Sequence, residues 1–400
     1  MKSVDYIEIE DRYGAHNYKP LDVVITKGQG VWLEDVDGNK YMDFLAAYSA
    51  VNQGHCHPRL VKVMKEQVER LTLTSRAFRN DQWSLLAKEV CELTGYDMLL
   101  PMNSGAEAVE TAIKAARKWG YKIKGVEQDK AEIIVCDGNF HGRTITIITF
   151  SPVAQYKDGF TPLTPGFKMI PYGDANALEN EINPNTVAFL VEPIQGEGGV
   201  IVPPAGFLKK SREICSKHNV LLIADEIQSG LGRTGKIFAC EHENVRADIV
   251  TIGKALTGGM YPVSATLAAK EIMSVFTPGD HGSTYGGNPL GCAVAREALK
   301  VIVAEKLCER AAELGDYLMQ QFKKIQSPHV DFYRGKGLWI GIVLKKEAGG
   351  ARRFCEAMKQ KGVLAKETHT NVIRLAPPLV ITKHEIDWAL ERIEQVLMME

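Results

Sequence analysis

No uninterrupted apolar stretch in this 400-residue chain approaches the roughly 20 residues that a membrane-spanning helix needs. The opening MKSVDYIEIEDRYG places charges where a secretory leader requires an apolar segment. Eight cysteines are present without a single CxxC pair, which argues against a thiolate zinc site and a disulfide framework and for free thiols in a reducing compartment. The formal net charge is only -1, and no basic block or aromatic-interleaved basic stripe offers a surface to nucleic acid or lipid. Internal repeats and low-complexity linkers are missing as well. What remains as the expectation is a soluble cytoplasmic protein that acts on a small molecule.

The composition that is present, 45% hydrophobic and 24% charged, suffices for a large core. GVWLEDVDGNKYMDF alternates on either side of Asp37-Gly38, a hairpin signal. From about residue 97 the runs MLLPMNSG, EIIVCDGNF, VAFLVEP, VLLIADE, IVTIGK and VSATLAAK are separated by helical or loop segments such as EAVETAIKAARKWGYK. Near-continuous apolar strands of this kind predict a mainly parallel sheet covered by helices on both faces. After Pro289 a long helical sequence leads to GKGLWIGIVLKK, VIRLAPPLVIT and a final amphipathic helix, an α+β tail joined through helix rather than a flexible tether.

Lys254 follows one of the apolar strands directly, and a charged amine in such a place must reach solvent, pair with an acid, or lose its proton. A desolvated neutral lysine is a nucleophile that captures carbonyl carbons. Asp225 closes the preceding strand, about one βαβ unit earlier, so the acid and the lysine would face one crevice at the carboxyl ends of neighbouring strands. Pyridoxal phosphate (PLP) needs this pair, the lysine for its aldehyde carbon and the carboxylate for its ring nitrogen. Alone, Asp225 would read as a helix cap or an arginine partner. Ser104-Gly105-Ala106 precedes a strongly helical run and could cradle a phosphate, or Ser104 could be a plain N-cap boxed with Glu107. Ser283 and Thr284, in GDHGSTYGGNPLG, could add donors, although a tight turn explains the glycines equally well. Phe140 could stack on a planar ring and Arg143 could fork a carboxylate, while a lone aromatic at a strand end is more often core. His55, Cys56 and His57 in GHCHP suggest a metal, but neighbours on an extended chain point apart and no further ligand cluster is visible. GLGRTG, at 230 to 235, fits neither a Walker loop nor a dinucleotide turn.

Taken in order, LVEPIQGEGGV, LLIADEIQSGLGRTG, IGKALTGGMYPVSA and HGSTYGGNPLGCAVA resemble the class III, fold type I PLP-dependent aminotransferases over essentially the whole chain. YGAHNYKPL, YSAVNQGHCHPRL, LTLTSRAF and NVIRLAPPLVI resemble its branch that acts on L-ornithine. The resemblance implies a large α/β domain with a mainly parallel seven-stranded sheet over residues 51–290, and a small α+β domain formed by 1–50 and 291–400. It also implies a homodimer with a shared active site, and δ-amino transfer from L-ornithine to 2-oxoglutarate. N-acetylornithine and 4-aminobutyrate are the alternative amines, and a non-enzymatic pyridoxal- or metal-binding protein is the alternative from another class.

By the same resemblance Lys254 would hold the cofactor and shuttle a proton, Asp225 would pair with the ring nitrogen, Gln228 would bond the ring hydroxyl, and Phe140 would stack. Ser104, Gly105, Ala106 and Ser283 would surround the phosphate, joined by Thr284 of a neighbouring subunit. Arg143 would take the distal carboxylate, and Tyr18 and Tyr48 the α-amino end of ornithine. Arg374 would take the α-carboxylate of the oxo acid, masked by Glu197 in the first half-reaction. Two departures from some relatives, His141 for a tryptophan and Gly198 for an alanine, are expected to change only the fine shape of the pocket.

Overall fold

A computed structural model describes residues 1–400. Near the N-terminus, β1 (Ile25–Gln29), β2 (Trp32–Asp35) and β3 (Lys40–Asp43) form an antiparallel meander. One carboxylate builds the expected hairpin turn: Asp35 accepts the N–H groups of Asp37 and Asn39 and the Tyr41 hydroxyl, while Gly38 takes φ +88°.

The central sheet contains β4 (Met98–Met102), β5 (Glu132–Cys136), β6 (Phe167–Ile170), β7 (Thr186–Val191), β8 (Leu221–Asp225), β9 (Ile249–Ile252) and β10 (Ser264–Ala268). Their order is β4-β10-β9-β8-β7-β5-β6, and only β10 runs antiparallel to its neighbours. Every residue of β7, β8, β9 and β10 is buried, which is why these runs carry no polar alternation. β6, a short edge strand with just one buried residue, carries little apolar signal and is not among the six runs that stand out in the sequence.

Two local expectations are corrected. No α-helix joins β8 to β9, whose connection holds only the 3₁₀ turn Ala239–Glu243. The long helix after Pro289 is two helices, Pro289–Ala304 and Leu307–Phe322, broken where Lys306 turns left-handed at φ +51°.

The C-terminal segment supplies β11 (Val330–Gly335), β12 (Ile340–Leu344), β13 (Val363–Leu364), β14 (Lys366–Thr368) and β15 (Val372–Leu375). The sheet β11-β12-β15-β14 stands by itself, whereas β13 pairs in parallel with β3 and completes the N-terminal sheet. The chain thus changes sheets across Ala365, and the two ends of the sequence fold together.

GLGRTG, without a role in the sequence reading, is the joint between these parts. Arg233 is fully buried and meets no carboxylate; its guanidinium donates to Leu338 O (2.9 Å), Pro377 O (2.7 Å) and Asn52 Oδ1. Asn52 returns a bond from Nδ2 to Leu231 O at 3.1 Å. Burial pushes the Arg233 guanidinium down to about 9, with Asp43 opposing, so its charge is retained at neutral pH against three neutral acceptors from three parts of the chain. A Cβ on Gly235 would sit 2.9 Å from that of Ala312, so the loop passes too close to the helix for any side chain. Arg233→Met is expected to destabilise the fold by about 3 kcal/mol, because the buried acceptors lose their donor. Chemical denaturation should show this as an earlier midpoint; an unchanged midpoint would mean that Arg233 is dispensable to the joint.

Candidate active site

The parallel strands β4, β5, β7, β8 and β9 all point their carboxyl ends at one crevice, the place where open α/β sheets bind ligands. A cavity of about 230 Å³ opens there, and Asp225, Gln228, Lys254, Phe140, Gly105 and Ala106 all line it. The acid and the lysine read from strand ends are therefore brought together. Lys254 lies just past β9 with φ +41°, in the left-handed region that a Cβ-bearing residue rarely enters. Burial pushes its amine below the usual lysine range, and the nearby carboxylates of Asp225 and Glu197 oppose that shift without cancelling it.

Asp225 is held rigidly. Its Oδ1 accepts from Ile227 N (3.1 Å) and Thr251 Oγ1 (3.1 Å), and its Oδ2 lies 2.6 Å from His141 Nδ1. His141 was expected to shape the pocket only; instead it is the buried partner of the essential acid, 84 positions away in sequence. Burial disfavours the imidazolium, but the hydrogen bond and charge of Asp225 outweigh it and raise the His141 pKa. Glu192, one residue past β7, was also missed. It lines the cavity, accepts the Phe140 N–H at 3.1 Å, and burial pushes its carboxyl up to about 8, which disfavours the charged form. An acid at a strand end was the available signal for Glu192, as it was for Asp225.

At the start of the helix Gly105–Trp119, Ser104 is the N-cap of a capping box with Glu107: Oγ accepts Glu107 N at 3.2 Å and Glu107 Oε2 accepts Ser104 N at 2.6 Å. Its hydroxyl also donates to Glu107, so Ser104 is committed to the cap and does not line the cavity. The Gly105 and Ala106 amides of the first turn have no backbone acceptor and remain available to an anion. Gly142, at φ +128°, lets the Phe140 loop close on this turn, since a Cβ there would lie 2.8 Å from that of Ala106. Ser283 is taken up by Asn103 Nδ2 (2.8 Å) and Gly286 N (2.8 Å), and Thr284 is exposed; within one chain neither reaches the cavity.

The substrate end is organised around Arg374, which is 1% exposed and bonded through Nη1 to Glu197 Oε1 at 2.5 Å. The Tyr48 ring lies under the same guanidinium, 4.9 Å from ring centroid to Cζ. Tyr48 sits in a left-handed turn, with φ +46°, +46°, +59° and +69° at Ala46, Ala47, Tyr48 and Ser49, a conformation costing roughly 1–2 kcal/mol per residue. Arg143 has no carboxylate partner within the chain; it stacks at 3.5 Å on Tyr156, which the reading did not single out, and at 5.5 Å on Phe140. Stacking occupies the guanidinium face and leaves its N–H edge free. Tyr18 is largely exposed at 76%, and the substrate-end residues Tyr18, Tyr48, Arg143, Glu197 and Arg374 all lie outside the lining of the cofactor cavity. His55 and His57 point apart, to Asp43 (2.7 Å) and Glu305 (3.0 Å), and no cluster of three or more potential metal ligands forms around them.

The cavity fits PLP by its own atoms. Buried Gln228 Nε2 has no partner and could donate to a ring hydroxyl, the free amides suit the phosphate, Asp225 suits a ring nitrogen, and Lys254 suits an aldehyde carbon.

The model of the aminotransferase class-III family matches residues 13–397. An ornithine aminotransferase of Geobacillus sp. (strain WCH70) is 58% identical over 395 residues, covering 99% of this chain and 98% of that one. The solved ornithine aminotransferase of Toxoplasma gondii, with PLP at partial occupancy in its active site, superposes with a TM-score of 0.98 at 45% identity, covering 99% of this chain and 94% of that one. An acetylornithine aminotransferase of Elizabethkingia anophelis superposes with a TM-score of 0.91 at 50% identity, covering 99% of each.

Because the pKa of His141 is raised on folding, its stabilising contribution is complete below the unfolded histidine value of about 6.5 and fades as pH rises through the folded value. The stability gap between the wild type and His141→Asn should therefore be about 2 kcal/mol at about pH 6 and narrow toward about pH 9. Denaturation of the cofactor-free proteins across that range measures it, and a gap independent of pH would show that His141 is neutral.

Proposed function

The chain belongs to the class-III aminotransferases, and from its site we infer an ornithine δ-aminotransferase that converts L-ornithine and 2-oxoglutarate to glutamate 5-semialdehyde and glutamate, the former cyclising to pyrroline-5-carboxylate. The observation that carries this reading is the buried Arg374, paired with Glu197 and covered by Tyr48 beside Lys254. A free arginine there would grip an α-carboxylate and present the α-amine for transfer. Neutralised, it leaves an α-amino acid to be held from its far end, with the δ-amine toward Lys254.

PLP, when bound, supplies the carbonyl carbon that receives the amine and the ring that accepts the electron pair released on deprotonation. Lys254 would hold its aldehyde carbon; as a desolvated amine, its Nζ then serves as the base that takes the proton from the amine-bearing carbon and returns it. Asp225, anchored by Thr251, Ile227 and His141, would keep a ring nitrogen protonated. Phe140 would cover one face of the ring, its backbone N–H held by Glu192. Arg143, with its donor edge free, would fork the α-carboxylate of ornithine and the distal carboxylate of 2-oxoglutarate. In the second half-reaction Glu197 must release Arg374, because the α-carboxylate of the oxo acid needs that cation.

The working unit is a homodimer, in which Thr284 of the partner subunit completes the phosphate cradle. Support comes from the exposure of Thr284 and Tyr285 and from the N-terminal helix Ser3–Tyr13, which buries no residue within its own chain. A cytoplasmic location accords with eight unpaired cysteines, and no helix is long and apolar enough to cross a membrane. The similarity to the Elizabethkingia anophelis acetylornithine aminotransferase favours N-acetylornithine as a second amine to examine.

L-ornithine alone should bleach the yellow holoenzyme and release pyrroline-5-carboxylate, whereas bleaching only by N-acetylornithine would move the reading to that amine. Glu197→Ala should raise α-transfer from glutamate relative to δ-transfer from ornithine by about tenfold or more, since the unmasked arginine then favours the wrong end. An unchanged ratio in paired half-reaction assays would remove the gate from the mechanism.

A further inference from the structure

Neither Asp43 nor the GHCHP stretch lines the cofactor cavity, yet both are tied to the turn that carries Tyr48. Asp43, the last residue of β3, is buried. Its Oδ1 accepts the N–H groups of Leu45 at 2.7 Å and Ala46 at 2.9 Å, and its Oδ2 meets His55 Nε2 at 2.7 Å. His55 is in turn fixed by its backbone, which exchanges hydrogen bonds with Gly30 at 2.8 and 3.0 Å. Gly54, at φ +87°, permits that approach, because a Cβ there would lie 3.2 Å from Gly30 Cα.

The two amides held by Asp43 are at the entrance of the left-handed turn Ala46–Ser49. A single glycine or asparagine enters this region easily, but four consecutive residues with Cβ atoms do so only under constraint. The exit is closed by the N–H groups of Ala50 and Val51, both bonded to Ala46 O. Phe44 O accepts the Ala376 N–H at 2.6 Å, joining the entrance to the segment that follows Arg374. The turn is therefore clamped at its entrance, and what it delivers is the Tyr48 ring against the Arg374 guanidinium.

We propose that the His55–Asp43 pair is a positioning device that holds the strained turn and, through Tyr48, sets the preference for an amine substrate with a free α-amino group. The proposal rests on the reading of Tyr48 as a wall of the α-amino end. His55 and Asp43 touch no substrate and act through the backbone of residues 45–49.

Two readouts test it: amide exchange of residues 44–51, and the ratio of half-reaction rate constants for L-ornithine over N-acetylornithine, both on the holoenzyme. Asp43→Ala should speed exchange in this segment and lower the ratio about tenfold. Asp43→Asn keeps an acceptor for the two amides and should preserve most of both. Ala47→Gly, at an exposed position, removes a Cβ penalty from the left-handed turn; alone it should leave activity unchanged, and combined with Asp43→Ala it should restore protection and ratio together. If Asp43→Ala does not fold, His55→Gln with and without Ala47→Gly carries the same comparison. Faster exchange with an unaltered ratio, or a loss that Ala47→Gly does not rescue, overturns the proposal. Tyr48→Ala separates it from its premise: an unchanged ratio there refutes the role of Tyr48, whereas a change there but not in Asp43→Ala refutes the clamp alone.

Discussion

Charged groups can be kept in a dry crevice only if each has a fixed partner, and this constraint shapes the whole site. Asp225 spends both oxygens on protein donors, Arg374 is closed off by Glu197 and Tyr48, and burial raises the proton affinity of Glu192. Lys254 is the exception, without an ion-pair partner, and it meets the cost by giving up affinity for its proton. That exception is what chemistry on a carbonyl carbon requires.

The scaffold provides this arrangement cheaply at one end and expensively at the other. At the cofactor end, the carboxyl ends of parallel strands and the first turn of a helix present acid, lysine and free amides through ordinary backbone geometry. At the substrate end, a left-handed turn of residues with side chains and a buried arginine both oppose folding by themselves. Their cost is offset by the packing of the two ends of the chain against one another, through β3 with β13 and through the Arg233 joint. Recognition of the substrate's end is thus built where the N- and C-terminal segments meet, and a loss of that contact would affect selectivity together with stability.

The sequence by itself determined six of the seven strands of the central sheet and the Lys254–Asp225 pair, because buried strands announce themselves as apolar runs and their polar end residues then stand out. Spacing alone left Ser104 open between phosphate ligand and cap, and the cap reading is the one its hydroxyl follows. The Glu197–Arg374 partnership came from family resemblance rather than spacing, since nothing local links residues 177 positions apart. Only the tertiary structure decided that His141 supports Asp225, that Tyr156 carries Arg143, that GLGRTG is a joint, and that GHCHP serves a strained turn. The physical reason is the same in each case: local pattern reports burial and periodicity along one segment, whereas partners for buried polar groups are supplied by whichever distant segment the fold brings within about 3 Å.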